Sequence, residues 1–481
     1  MAIDFATMDA CELSQGYSSG DFSPVHVTTS LLSRTERLDR SLNAFYQIDS
    51  EIALIQARAS ELRWHKREPL SPLDGVPTSI KDALPSIGHK SFRGSAAHPA
   101  KVSESQTDAP AVARMREGGM VFLGKTTMPD FGILSGSVSS KHGVTRNPWS
   151  PDHSAGGSSS GAASSIAAGM NPVAVGTDIV GSIRLPAAFC GIYGFKPSQG
   201  RVPYYFPNSP SLVAGPMART VEDAALLMNL ISKSDDRDFS ALPPSEVDYV
   251  EASKGPLPTL KIAIAETVGF GVNCSDEVLS AFHRTVQMLD DDFNCERVEP
   301  GFNEADMAEA EKFYKVRCRA EFLKLPKAMR NRASTISTWS EKADSISATE
   351  FYDAFAHLQF MREKTVRLMD GYDFLLLPTV RRPAFLAEDA GFSPTELFPP
   401  WINTFLFNLS EQPASSIPCG YTSAGLPIGL QVVGRRFDDA GVFKFSRELE
   451  QRFPWKESLN DMLGGLVNRD LDRYQNSEDT R

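Results

Sequence analysis

Within residues 154–165, six of twelve residues are serine and three are glycine. Such a run can be a flexible linker, because glycine and serine contribute little to a packed core. Its neighbours argue against that. Residues 162–168 are small and helix-compatible, and the apolar run 173–175 follows closely. A Gly/Ser run lodged between a loop and a helix–strand unit reads as a loop that presents its backbone at an active centre. Such a loop must sit on a rigid α/β scaffold.

Helical patterning covers roughly 9–59, with Ser23-Pro24 as an N-cap followed by proline in the first turn. Short apolar strands are predicted at 76–80, 120–123, 173–175, 260–265, 373–378 and 426–433, with helices at 109–117 and 222–232 between some of them. Alternating helices and strands predict an α/β fold, a central mixed β-sheet covered by helices on both faces. Residues 234–258 are polar and proline-containing, the best linker candidate, and 276–368 read as mostly helical and charged. The length of 481 residues permits about three domains and a large core.

The net charge of −11 disfavours a sequence-independent nucleic-acid binder or an anionic membrane surface as partner. The six cysteines are scattered without a C-x-x-C pair or zinc spacing, which suits reduced thiols in a cytoplasmic protein. The first sixteen residues lack the basic-then-apolar pattern of a secretion signal, and no apolar run approaches the ~18 residues of a membrane span.

Two motif matches fail on context. Gly119 to Thr126 fits G-x-x-x-x-G-K-[ST], but its middle residues Met120-Val121-Phe122-Leu123 are themselves a strand, whereas a phosphate loop follows one. Lys125 is then a structural lysine. Gly157 to Gly161 fits G-x-S-x-G around Ser159, yet the preceding segment carries Pro148 and Pro151 and no strand pattern. The eight histidines are scattered with no convincing pairing, and Ser-x-x-Lys is absent. Serine chemistry here requires a base other than histidine.

Three segments supply one. They are Leu73-Asp74-Gly75-Val76-Pro77-Thr78-Ser79-Ile80-Lys81-Asp82, then Gly156-Gly157-Ser158-Ser159-Ser160-Gly161, then Gly176-Thr177-Asp178-Ile179-Val180-Gly181-Ser182-Ile183-Arg184-Leu185-Pro186. Together with Gly215-Pro216-Met217-Ala218-Arg219-Thr220 and Gly425-Leu426-Pro427-Ile428-Gly429-Leu430-Gln431, the chain resembles the amidase signature family from about residue 8 to 450. The resemblance implies a hydrolase that cleaves the C–N bond of a carboxamide through an acyl-enzyme. It implies Ser182 as nucleophile, Ser158 as bridging serine held by a cis peptide bond, and Lys81 as base. It also implies an oxyanion hole from the backbone amides of Ile179, Val180, Gly181 and Ser182. Lysine can accept a proton only when neutral, so Lys81 must be buried or near positive charge. Asp178 and Arg184 are expected to pair and support this loop, with Ser159 and Thr177 holding it by hydrogen bonds. No cofactor or metal is implied. The expected partner is a small amide, and a homodimer is an expectation from family analogy alone.

Several positions depart from the family pattern. Val180 stands where glycine is usual. It is costly if that position needs φ > 0, and it otherwise narrows the acyl pocket. Ser160 and Thr127 replace usual Gly and Asn, and Leu409-Ser410-Glu411-Gln412-Pro413 replaces a Gly-containing turn. Pocket walls are expected after Met128, from Tyr204, Tyr205 and Phe206, and near Phe322 and Phe351. That aromatic excess favours an aryl or other apolar amide, an anilide or an aryl urea. The glutamyl- or aspartyl-tRNA amidotransferase A subunit is the rival enzyme, although the usual Tyr-rich run is missing around Tyr314. A catalytically silent binding protein on the same fold is the alternative of another class. Because Lys81, Ser158 and Ser182 must converge, one domain over 1–481 is expected. Within it, 65–220 carries the core motifs and 235–368 forms a helical cap.

Overall fold

Short apolar segments that alternate which face each residue presents account for most of the architecture. In the segment Val173–Asp178, Val173 and Val175 enter one core with Ile80, Phe122 and Tyr193, while Ala174 enters the opposite core with Val121, Leu123 and Met217. The same division holds at Phe374–Pro378, where Phe374 and Leu376 face one side and Leu375 and Leu377 the other.

The computed structural model describes residues 3–98, 102–204, 211–290, 292–393 and 397–478, with side chains described as far as residue 466. The expected pocket residues Tyr205 and Phe206 lie outside the described residues. The strands are β1 (Phe45–Ile48), β2 (Pro77–Lys81), β3 (Val121–Thr126), β4 (Val138–Ser139), β5 (Gly143–Val144), β6 (Val173–Asp178), β7 (Tyr193–Lys196), β8 (Val213–Ala218), β9 (Lys261–Ile264), β10 (Asn294–Arg297), β11 (Phe374–Pro378), β12 (Ala414–Tyr421) and β13 (Pro427–Gly434). β4 and β5 form a small hairpin, and the rest form one 11-stranded sheet in the order β1-β3-β2-β6-β8-β7-β12-β13-β11-β9-β10. The sheet is mixed. β2 runs parallel to both β3 and β6, and β9 runs parallel to β10 and β11. The strands between these two parallel groups pair antiparallel. Strands from both ends of the chain therefore share one sheet.

Helices cover both faces, as expected. Ala10–Ser19, Val221–Ile231, Asp276–Asp290 and Asp439–Arg452 pack on one side. On the other side the helices divide into two clusters. Pro24–Leu42, Ser50–Lys66, Ser160–Ala167 and Arg184–Cys190 form one, and Glu304–Leu323 and Ala348–Arg367 lie over the other. Among the described residues, no helix is long and apolar enough to cross a membrane.

Two local expectations are corrected. The helical reading across 46–59 fails at its start, because Phe45–Ile48 is an edge strand antiparallel to β3. Only pairing with residues 124–126, far along the chain, decides that. Within 235–368, the strand predicted at 260–265 is β9, and β10 adds an unpredicted strand inside the stretch read as mostly helical, both extending the sheet. The candidate linker 234–258 carries only one short helix, Tyr249–Ala252.

Leu376 in β11 is fully buried in the larger core. Leu376→Ala should cost about 3 kcal/mol. Leu62→Ala, at a position 60% exposed, should stay within about 0.5 kcal/mol of wild type. Equilibrium denaturation of the two variants checks the contrast.

Candidate active site

β2 is buried along its whole length and ends on Lys81, so the lysine enters the interior from the end of a parallel strand. The chain turns at Leu84, where buried Lys125 donates from Nζ to the carbonyls of Lys81 (3.2 Å) and Leu84 (2.6 Å). Lys125 is thus the structural lysine expected from sequence, and residues 121–126 are strand rather than phosphate loop. The Gly/Ser run leads into the helix Ser160–Ala167, whose eight residues are all buried. Small side chains are required there: a Cβ on Gly161 would lie 2.1 Å from the Ala44 carbonyl oxygen. The Gly157–Ser158 peptide bond is cis. Ser182 lies in the turn between β6 and the helix Arg184–Cys190.

These segments converge on one point. Lys81 Nζ lies 2.9 Å from Ser158 Oγ, 2.8 Å from Ser159 Oγ, 2.8 Å from Thr177 Oγ1 and 3.3 Å from the Thr177 carbonyl oxygen. Among the described residues it has no carboxylate partner. Burial pulls its pKa down to about 7, against the opposing fields of Asp178 and Asp82, with Arg93 lowering it further. The backbone amide of Ser159 donates to the Ser182 carbonyl (3.2 Å), tying the two serine loops together. Ser182 Oγ is buried without a hydrogen-bond partner among the described residues, so the expected Ser182–Ser158 contact is not formed in this conformation. Both serines line a cavity of about 300 Å³. Catalytic hydrogen bonds often tighten only when substrate is bound.

The turn after β6 is held by the predicted ion pair. Arg184 donates from Nε to Asp178 Oδ2 (3.0 Å) and from Nη2 to Oδ1 (3.0 Å), with both side chains fully buried. Burial pushes the Asp178 carboxyl up, but Arg184, Asn408 and Lys196 outweigh it and hold it at about 2. Asp178 also accepts from the amides of Gly181 (2.7 Å) and Ile183 (3.1 Å). This corrects one expectation: the Gly181 amide is already engaged, leaving those of Ile179, Val180 and Ser182 without a hydrogen bond among the described residues. Three residues that sequence does not single out for the site complete the support. Asn408 Nδ2 donates to Asp178 Oδ1 (2.9 Å), Gln431 Oε1 accepts from Arg184 Nη1 (2.6 Å), and Thr404 Oγ1 donates to the Val180 carbonyl. Gln431 lies inside one of the family-like motifs, whereas Thr404 and Asn408 carry no sequence signal.

The departures from the family pattern have physical readings. Positive φ falls on Gly181 (138°) and not on Val180, so valine is tolerated at its position. A Cβ at Gly181 would approach Thr404 Oγ1 to 2.2 Å, so glycine is required at position 181 rather than at 180. Val180 borders a narrow slot of about 30 Å³ with Tyr314, Trp339, Phe398 and Trp401. Thr127 bonds Thr145 (2.6 Å) inside the protein. Glu411 occupies the left-handed region (φ 64°) where glycine is usual, its carboxylate held 2.6 Å from Arg362.

The larger cavity is lined by Met128, Phe131, Tyr204 and Leu212 among others. The expectation for the segment after Met128 and for Tyr204 is met. Phe322 and Phe351 line neither space: Phe322 is buried in the core, and Phe351 stacks on Phe313 at 5.6 Å. One group of candidate metal-ligating side chains, Asp9, Cys11 and Asp223, lies elsewhere, where Asp223 accepts from the amides of Ala10 and Cys11 to cap a helix.

A family model described as Amidase matches residues 26–443. The chain is 32% identical to the A subunit of a glutamyl-tRNA(Gln) amidotransferase from Desulforapulum autotrophicum, over 92% of this chain and 97% of that protein. It is 29% identical to an acylamidase from Rhodococcus erythropolis, over 94% and 96% of the two chains. A crystal structure of a bacterial aryl acylamidase of the amidase signature family superposes with a TM-score of 0.85 at 27% identity, covering 95% of this chain and 98% of that one. The chain belongs to the amidase signature family of amide-hydrolysing enzymes.

Proposed function

We propose that the protein hydrolyses an aryl or other apolar carboxamide through an acyl-enzyme on Ser182. The observation that carries this reading is Lys81, fully buried, in contact with hydroxyls and without a carboxylate partner among the described residues. Ser182 Oγ attacks the amide carbon while its proton passes through Ser158 Oγ to neutral Lys81 Nζ. The oxygen that gains charge is received by the amides of Ile179, Val180 and Ser182, each able to contribute about 3 kcal/mol. Collapse of the intermediate expels the amine, which takes the proton back along Ser158. Water then attacks the acyl-enzyme with the same residues acting in reverse. Ser159 and Thr177 orient Lys81, and Asp178 with Arg184 positions the turn.

The substrate reading rests on the two spaces. The cavity beside Met128, Phe131 and Tyr204 is large enough for an aryl ring, whereas the slot beside Val180 is about a tenth as large. We assign the ring to the cavity and a small acyl group to the slot. The helices Glu304–Leu323 and Ser334–Glu341, which carry Tyr314, Arg317, Cys318 and Trp339, form the substrate-determining part of the cap. A second reading, the A subunit of a tRNA-dependent amidotransferase, is favoured by the similarity to a protein of that name. Glutamine hydrolysis that outpaces anilide hydrolysis would select it.

A fluorophosphonate probe should label wild type and not Ser182→Ala. Lys81→Ala should lose about 10³-fold in kcat/KM near neutral pH, with the deficit shrinking as hydroxide rises. In wild type, activity should fall on the acid side of about pH 7, because protonated Lys81 cannot accept a proton. Unchanged activity of Lys81→Ala near neutral pH ends the triad reading.

For specificity, hydrolysis of acetanilide should exceed that of butyranilide, and Val180→Gly should narrow the gap about tenfold by widening the slot. Equal rates in wild type, or activity on small aliphatic amides alone, would reject the assignment of ring and acyl group.

A further inference from the structure

The wall of the larger cavity carries two arginines, Arg93 and Arg317, and one nearby carboxylate serves both. Arg93 Nη2 lies 3.0 Å from Glu321 Oε2, and Arg317 Nη2 lies 3.0 Å from Glu321 Oε1. Formal charge at this wall is therefore one positive unit in excess. Glu321 is well covered, and the fields of Arg93 and Arg317 overcome the burial that pushes its pKa up, so it stays ionised. The buried Arg317 Nε has no hydrogen-bond partner among the described residues. A guanidinium has five donors, and Glu321 occupies few of the ten present here. Arg317 also borders the narrow slot, so it stands where the two spaces meet.

Arg93 is placed deliberately. Asp82, next to Lys81, accepts from the amides of Phe92 (2.8 Å) and Gly94 (2.7 Å), one on each side of Arg93. The Arg93 carbonyl accepts from the Phe131 amide (2.7 Å), and its guanidinium lies 5.7 Å from the Phe131 ring centre. Arg93 itself sits at φ 46°, a left-handed conformation that costs a non-glycine residue about 1 kcal/mol or more. A loop clamped on both sides, at a backbone cost, to hold a cation over the cavity serves a purpose beyond pairing with Glu321. The Arg93 field also lowers the pKa of Lys81, so this charge is felt at the reacting centre.

We propose that Arg93 and Arg317 form a carboxylate-recognising wall, and that the preferred substrate is an amide bearing a carboxylate as well as its aryl group. The inference rests on the amide-hydrolysis reading for the identity of the ligand, and Glu321 acts as the built-in counter-charge that the substrate carboxylate displaces. Charge-assisted bonds from two guanidinium groups to one carboxylate are roughly twice as strong as neutral hydrogen bonds.

The test reads binding separately from turnover. In Ser182→Ala, isothermal titration compares acetanilide with two charged relatives, 4-acetamidobenzoate (carboxylate on the ring) and succinanilate (carboxylate on the acyl chain). At least one charged ligand should bind about tenfold tighter than acetanilide, and added salt should erode the preference. Arg93→Gln and Arg317→Gln should each reduce the charged-to-neutral affinity ratio about tenfold. Glu321→Gln should raise that ratio, a sign that general damage to the fold does not produce. No preference for either charged ligand, or equal losses for charged and neutral ligands in both arginine variants, overturns the proposal. A charged-ligand preference in a protein that hydrolyses none of the three amides upholds the carboxylate wall and removes only the amide reading.

Discussion

The buried pair of Asp178 and Arg184 joins what the chain order separates. Asp178 closes β6, Arg184 opens the following helix, and the turn between them carries the amides and hydroxyl of the site. Arg184 also reaches the Thr404 carbonyl (3.0 Å), Gln431 and Asn408, all from the C-terminal part of the chain. A buried ion pair is weak evidence of stability in itself, because desolvation of both charges opposes the attraction. Here the carboxylate also receives two backbone amides, so its lone pairs are used to shape the turn. Loss of either partner would strand a charge and release the turn together.

Placing one charge pair so well leaves Lys81 free of any. Among the described residues three lysines are fully buried, and burial draws all three downward, Lys81 and Lys196 to about 7 and Lys125 to about 8. A lowered pKa therefore does not single out a base. Lys125 spends its ammonium on the carbonyls of a turn, and Lys196 donates to the Pro197 carbonyl (2.9 Å). Lys81 instead meets hydroxyls, one of which belongs to a serine that also borders the cavity. Contact with groups that can both give and take a proton is what separates a relay from a structural bond.

Much of the site is legible in the sequence because its chemistry resides in side chains at the ends of short elements, where motif and local structure coincide. Lys81, Ser158, Ser159, Thr177, Asp178, Ser182 and Arg184 follow from three segments, and the structure brings them together. The backbone is less legible. Nothing in the sequence shows that Asp178 engages the Gly181 amide, or that positive φ falls on Gly181 and spares Val180. The cavity walls are legible in part. Tyr204 and the residues after Met128 line it, whereas Phe322 is core and the half-buried Phe351 packs against it, and the slot is built by Tyr314, Trp339, Phe398 and Trp401. Aromatic residues look alike in sequence whether they fill a core or border a void.

By itself, the sequence determined the family, the α/β character, the side chains proposed to react and the rejection of two misleading motifs. These depend on residue identity and on patterns spanning a few residues. Tertiary structure decided the edge strand at 45–48, the entry of β9 and β10 into the sheet, and the support given by Thr404, Asn408 and Gln431. It also decided the meeting of Arg93 and Arg317 on Glu321. Each of these is a contact between residues far apart in the chain. Such contacts exist only once an 11-stranded sheet has set which loops face one another, and no local pattern encodes that choice.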